Sequence, residues 1–205
     1  GGRYSGIAPG CNLIMVKVLD RKGNGYSSDV LAGISWVLER KEQLGIRILN
    51  ISVGACSKRG MSENSALVKG VNRAWDAGLV VAAGNNGPRT MSITTPGISR
   101  KVITVGCSDD DREVLVGGNR MVDYSGRGPT AACICKPDLV APGCSVVSCS
   151  SRADKYTIKS GTSMSTPIVS GAVALLLERF PDMSNKDVKL RLRESSVDIG
   201  LPRNQ

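Results

Sequence analysis

From Ile168 to Leu177 the chain is apolar except for Ser170 and Gly171, so a helix built on it has no solvated stripe. Such a helix should run through a core, and the rest of the chain has to supply that core. Directly before it stands Ser160-Gly161-Thr162-Ser163-Met164-Ser165-Thr166-Pro167. Hydroxyl residues crowd the capping positions, and Pro167 suits a first turn, where a missing N–H costs nothing. Ser163 then sits at the mouth of a buried helix, facing the positive end of its dipole and the orphan first-turn N–H groups. That is a setting for a nucleophile and equally for a plain cap, so other residues must decide.

Upstream, short apolar runs alternate with helical spacing. Leu13-Ile14-Met15-Val16-Lys17-Val18-Leu19 reads as a strand. A turn at Gly23-Asn24-Gly25 follows, and Ser27, Ser28 or Asp29 can cap a helix carrying Val30, Leu31, Ile34, Val37 and Leu38, stopped by Gly45. Ile46 to Val53 is a second strand ending in the small residues Ser52-Val53-Gly54-Ala55. Val68 to Ala77 is a second helix, Leu79 to Ala83 a third strand leading into Gly84-Asn85-Asn86-Gly87, and Val102 to Val105 a fourth. Short strands follow at Asp138 to Ala141 and Val146 to Ser148, and Ser184 to Asp187 resembles a capping box opening a last helix. This alternation predicts a single α/β domain with a parallel sheet between helical layers. Ligands of such sheets collect beyond the carboxyl ends of the strands, where Gly23 to Gly25, Ser52 to Ala55, Gly84 to Gly87 and Ser163 all fall.

Composition narrows the function. The 27 Lys and Arg against 18 Asp and Glu leave a formal charge of +9, but the basic residues are thinly spread and aromatics make up only 3%. A nucleic-acid module would want stacking platforms or a recognition helix, and neither is present. The Lys186, Lys189, Arg191, Arg193 cluster reads as a solvated helix face. Seven cysteines and no histidine exclude a mixed metal site and favour free thiols in a reducing cytoplasm. Asp109-Asp110-Asp111 suggests an exposed loop before a cation site. No cofactor is identified, and a structural calcium ion would find no clear motif. No run is long enough to span a membrane, and the start lacks the pattern of a signal peptide.

Gly161 to Pro167 and Ala82-Ala83-Gly84-Asn85 resemble the nucleophile and oxyanion motifs of the subtilisin-like serine peptidases, the subtilase family S8. Gly6 to Pro9, Val16 to Leu19, Asn50 to Gly54, Tyr124 to Pro129 and Lys136 to Gly143 match the family in the same order. Thr95-Pro96-Gly97 and the Ser-x-Arg-Gly-Pro pattern are most similar to the intracellular AprX-type bacterial branch. The resemblance implies a subtilisin-like three-layer αβα sandwich and an acyl-enzyme on Ser163. It implies Asn85 and the Ser163 N–H as the oxyanion hole, and Gly23, Asn24, Gly25, Ser52, Val53, Gly54, Ala83, Gly84 and Thr162 as the substrate-binding set. It also places a cis peptide bond at Thr95–Pro96.

The family's triad runs Asp, His, Ser, and its Asp and His motifs precede the segment that starts here at Gly6. With no histidine the chain lacks a general base and should be nearly inactive alone. The glycine-rich start and the end at Gln205 predict a fragment, one partial domain truncated on its N-terminal side and short of the extreme C-terminus. The expected function is a serine endopeptidase acting on polypeptides, with no nucleic-acid or membrane partner. The upstream segment or a propeptide is a further candidate partner. A peptide-binding pseudoprotease is the alternative, and the presence of both Ser163 and Asn85 weighs against it.

Overall fold

The helix that Val30, Ile34 and Val37 predict forms as α1, Ser27–Leu44, with these three residues buried. The Asp29 carboxylate accepts the Tyr26 N–H at 3.2 Å, placing negative charge at the positive helix end. Gly45, at φ 61°, closes the helix in the left-handed conformation that glycine tolerates. The computed structural model describes residues 4–54, 63–75, 79–82, 87–116, 119–151 and 155–200. Helix α2, Ala66–Ala74, is capped by Ser65, which accepts from Val68 N–H.

The strands are β1 (Leu49–Ile51), β2 (Leu79–Ala82), β3 (Ile103–Cys107), β4 (Val114–Val116), β5 (Asn119–Met121), β6 (Leu139–Ala141), β7 (Val146–Cys149) and β8 (Tyr156–Lys159). The expected parallel sheet is present, in the order β1-β2-β3-β6. β4 pairs with β5 and β7 with β8 as antiparallel ribbons. Helix α3, Thr162–Arg179, contacts all four sheet strands. Helix α4, Asn185–Ser195, opens with the predicted capping box between Ser184 and Asp187. One apolar cluster joins Ile34 of α1, Val71 of α2, Val105 of β3, Val173 of α3 and Val188 of α4 through the sheet. Thr95–Pro96 is cis, as the resemblance places it. No helix among the described residues is long and apolar enough to cross a membrane.

Five expectations are corrected. Leu13 to Leu19 is not a strand. It pairs with no strand among the described residues, and Leu13 and Met15 are 81% and 90% exposed. Val16 and Val18 lean on α1, where a Cβ on Gly33 would come 3.2 and 2.8 Å from their methyls. Between this segment and β1 runs an apolar groove of about 690 Å³, walled by Val30 and Ile34 of α1 and by Gly171 and Ala174 of α3. An apolar run states a tendency to be buried, but a strand exists only with a hydrogen-bonded neighbour.

Helix α3 is not enclosed on every side, because Leu175 is 43% exposed. Its sheet-facing residues Val169 and Val173 are buried, while Pro167, Gly171 and Ala174 line the groove. Pro167 falls beyond the first turn, because the helix already starts at Thr162. Asp109 and Asp110 are not a solvated loop. Asp109 Oδ1 accepts Gly143 N–H at 2.7 Å and Cys144 N–H at 3.0 Å, and Asp110 Oδ2 accepts Ser125 N–H at 2.8 Å. The lone pairs that would bind a cation hold backbone instead, and no group of metal-ligating residues occurs among the described residues.

Lys189 does not belong to a solvated face. Its Nζ lies 3.0 Å from Asp138 Oδ1 and 2.8 Å from the Val102 carbonyl. Lys136, 1% exposed, reaches Asp138 Oδ2 at 2.6 Å and the same Val102 carbonyl at 3.0 Å. Thr104 N–H completes the cluster by donating to Asp138 Oδ2 at 2.7 Å. Two ammonium groups share one carboxylate there, tying α4 to the starts of β3 and β6. Burial pushes the Lys136 ammonium down to about 8 against the pull of Asp138. Burial pushes the Cys107 thiol up to about 11.

These shifts set an alkaline stability profile. Between about pH 8 and 10.5 the unfolded chain binds more protons at Lys136 than the folded one, so stability rises with pH, by at most about 1.4 kcal/mol per pH unit. Above pH 9 Cys107 opposes this, because the folded thiol keeps a proton that the unfolded thiol loses. Urea midpoints should therefore climb from pH 8 to 9 and level off above it, and Lys136→Met should remove the climb.

Candidate active site

Helix α3 begins where Gly161, at φ 136° and ψ 162°, turns the chain out of β8. Few side chains tolerate that backbone, which explains a glycine directly before the helix. Met164 N–H bonds the Gly161 carbonyl at 2.8 Å, so Ser163 lies in the first turn, where its N–H has no acceptor within the helix. Pro167 stands four residues later and has no N–H for the Ser163 carbonyl. The half-buried Ser163 Oγ donates to the Ser52 carbonyl at 3.1 Å, just past the end of β1. The structure thus brings together two of the predicted residues that are far apart in sequence.

Gly54 continues from Ser52 past the half-buried Val53. A Cβ on Gly54 would come 2.7 Å from Thr94 Oγ1, so this backbone runs against the loop that carries Thr94 and Thr95. Thr162 is fully buried, and its carbonyl accepts Thr166 Oγ1 at 2.8 Å, which stiffens the first turn. Ser163, Met164 and Pro167 open on a cleft of about 990 Å³ whose other walls include Ile7, Val147 and Thr157.

The mouth of α3 is held from below. Gly161 N–H bonds the Gly143 carbonyl at 2.9 Å, and Gly143 N–H bonds Asp109. A Cβ on Gly143 would collide with Ser165 Oγ and lie 2.8 Å from Cys107 Sγ. Cys107 lies at the end of β3, with its Sγ 3.1 Å from Asp109 Oδ1, so the helix mouth is anchored to the sheet.

Gly23, Asn24 and Gly25 form a separate, exposed turn built by Asp20, whose Oδ1 accepts Lys22 N–H at 2.8 Å and Asn24 N–H at 2.9 Å. The Asn24 and Lys22 amides hold the Asp20 carboxyl below its ordinary range. No hydrogen bond among the described residues joins this turn to Ser52–Gly54 or to Ser163. Ala83, Gly84 and Asn85 lie outside the described residues. β2 ends at Ala82, directly before them, and runs parallel beside β1, so Ala82 and Ser52 leave the sheet at the same end.

Two residues of the neighbourhood were not singled out for the site from sequence, Asn50 and Ser170. Asn50 opens the family-like segment Asn50 to Gly54 but lies inside a strand run, and nothing local marks its side chain for a role. Ser170 does give one, as a lone hydroxyl in an apolar helix two turns after Ser163.

The Subtilase family of peptidases, S8, matches residues 1–205. The chain belongs to that family. It is 39% identical over 214 residues to the serine protease AprX of Bacillus subtilis (strain 168), covering 95% of this chain and 48% of AprX. It is 34% identical over 199 residues to subtilisin DY of Bacillus licheniformis, covering 95% of this chain and 64% of that protein. Among solved structures, a cold adapted subtilisin-like serine proteinase superposes with a TM-score of 0.76 at 29% identity, over 95% of this chain and 63% of that one. Sphericase superposes with a TM-score of 0.69 at 32% identity, over 87% of this chain and 58% of its own. The chain therefore spans about half to two thirds of the subtilases it matches.

Because Gly143 has no room for a methyl group, Gly143→Ala should displace Ser165 and the first turn of α3. The expected cost is about 1–3 kcal/mol of stability in denaturant titration. The neighbouring Ser145→Ala, at an exposed position, should cost far less.

Proposed function

We propose that residues 1–205 are the nucleophile-bearing part of a serine endopeptidase that cleaves polypeptides through an acyl-enzyme on Ser163. The observation that carries this is the Ser163 hydroxyl at a helix N-terminus, 3.1 Å from a carbonyl at the carboxyl end of β1. Acyl transfer there needs three components. Ser163 Oγ attacks the scissile carbonyl. The Ser163 N–H, unused by the helix, donates to the oxyanion, and the Asn85 side chain, three residues past β2, supplies the second donor. Ser52–Gly54 offers backbone N–H and C=O groups to an extended peptide as to an added strand, and Gly23–Gly25 offers a second such segment. Such pairing reads main chain rather than side chains, so broad specificity follows.

A serine hydroxyl needs a base, and this chain has no histidine. The imidazole and its orienting carboxylate come from a segment outside residues 1–205, and the cleft beside Ser163 leaves room for a side chain to reach Oγ. The free thiols at Cys11, Cys133 and Cys149, all exposed, support a reducing, cytoplasmic setting.

A fluorophosphonate probe tests this. It should label the protein with its native flanking sequence at Ser163, label the isolated 205-residue chain at most weakly, and label Ser163→Ala not at all. Equal labelling of both lengths would overturn the external base, and no labelling of either would favour a peptide-binding pseudoprotease. Asn85→Ala should lower kcat about 10²- to 10³-fold with KM nearly unchanged, because its amide acts on the developing oxyanion.

A further inference from the structure

Ser170 interrupts the apolar run of α3, and nothing in the proposed chemistry touches it. A hydroxyl in mid-helix is a weaker helix former than alanine. Its bonds show what it does. Ser170 Oγ donates to Asn50 Oδ1 at 2.9 Å, with the Thr166 carbonyl at 3.1 Å as a second acceptor. Asn50 Nδ2 donates to Ser52 Oγ at 2.9 Å, and the Ser52 carbonyl accepts the Ser163 hydroxyl at 3.1 Å.

The circuit is geometrically closed. Ser163 and Ser170 lie two turns apart on one stripe of α3, a separation of about 10 Å. Asn50 and Ser52 are alternate residues of one extended segment, so their side chains leave the same side of it. The helix therefore meets the strand at two points, Ser163 on Ser52 and Ser170 on Asn50, and the Asn50–Ser52 bond ties these points together. The apolar seam places α3 on the sheet, and the two polar contacts, joined laterally, refine its rotation and axial position beside β1.

We propose that Asn50 and Ser170 are positioning residues for Ser163. Through Ser52 they hold its hydroxyl at the end of β1 and fix it relative to the Ser52–Gly54 backbone. This rests on the reading of Ser163 as the nucleophile. Asn50 is exposed and Ser170 half-buried, so water competes for these bonds and they contribute little to stability. Their effect lies in placement, and a nucleophile displaced by a fraction of an ångström loses rate without losing substrate.

The test uses the protein with its native flanking sequence and follows fluorophosphonate labelling at Ser163, peptide-hydrolysis kcat and KM, and the thermal midpoint. Ser170→Ala and Asn50→Ala should each lower labelling rate and kcat about tenfold with KM within twofold. The double variant should lose little more than either single one, since both break the same path. Ser170→Thr, which keeps the hydroxyl, should recover most of the rate. Ser170→Ala should leave the thermal midpoint unchanged or higher, because alanine is the better helix former, and a structural role would lower it. Wild-type labelling with unchanged rates in both variants would overturn the positioning role alone. A wild type that does not label at Ser163 would overturn the nucleophile reading, and the positioning role with it.

Discussion

The contact between helix α3 and the parallel sheet carries the rest of the molecule. Its buried residues Val169 and Val173 join the same cluster as Ile51, Val105 and Ala141, so one apolar seam holds β1, β3 and β6 against one helix. Burial at about 25 cal/mol per Å² makes that seam a larger favourable contribution than any polar contact near it. It also sets direction. With α3 lying along the strands, its N-terminus must emerge near one end of the sheet, and that end is where Ser52 meets Ser163.

Polar groups refine what the seam roughly places. Asp109, Asp110 and Asp138 all use their carboxylates to hold backbone N–H groups, and each joins segments distant in sequence. A carboxylate accepting amides is well compensated for its burial, whereas an unpaired one would be very costly. Asp109 fixes the turn beneath α3, Asp110 the loop before Arg127, and Asp138 the edge near α4. Lys136 and Lys189 then balance Asp138, and their shared Val102 carbonyl takes up hydrogen atoms that a single carboxylate could not accept.

Much of the architecture was legible from local patterns. Val30, Ile34 and Val37 recur at helical spacing and are the buried residues of α1, and Gly45 stops the helix by a conformation that glycine adopts freely. The apolar runs near Leu49, Leu79 and Ile103 became neighbouring parallel strands, with helix α2 as the crossover between the first two. Of the ribbons only β7 was legible, as the run Val146 to Ser148, whereas β4, β5 and β8 are too short or too interrupted by polar residues to read as strands. At the site, Ser163 stood out only through Gly161 to Pro167 taken together with Ala82 to Asn85, since a capped helix entry by itself suits a plain cap equally well. Asn50 stood out only as part of the segment Asn50 to Gly54, because nothing in a strand-type run distinguishes a side chain that reaches across to a helix.

What the sequence by itself determined is the set of local preferences: which segments are helical or extended, which faces are apolar, and which serine opens the long helix. Those follow from side-chain sterics, periodicity and capping chemistry, all of which act over a few residues. Which apolar runs would find partners was decided only by the tertiary structure. Leu13 to Leu19 is as apolar as β1, yet it lies unpaired across a groove from it. The same holds for charge. The sequence presents Asp109 and Lys189 as ordinary surface residues, and only the fold brings each to the buried groups that complete it. Hydrogen bonds and ion pairs act over a few ångströms, so their partners are set by which segments packing has already brought together.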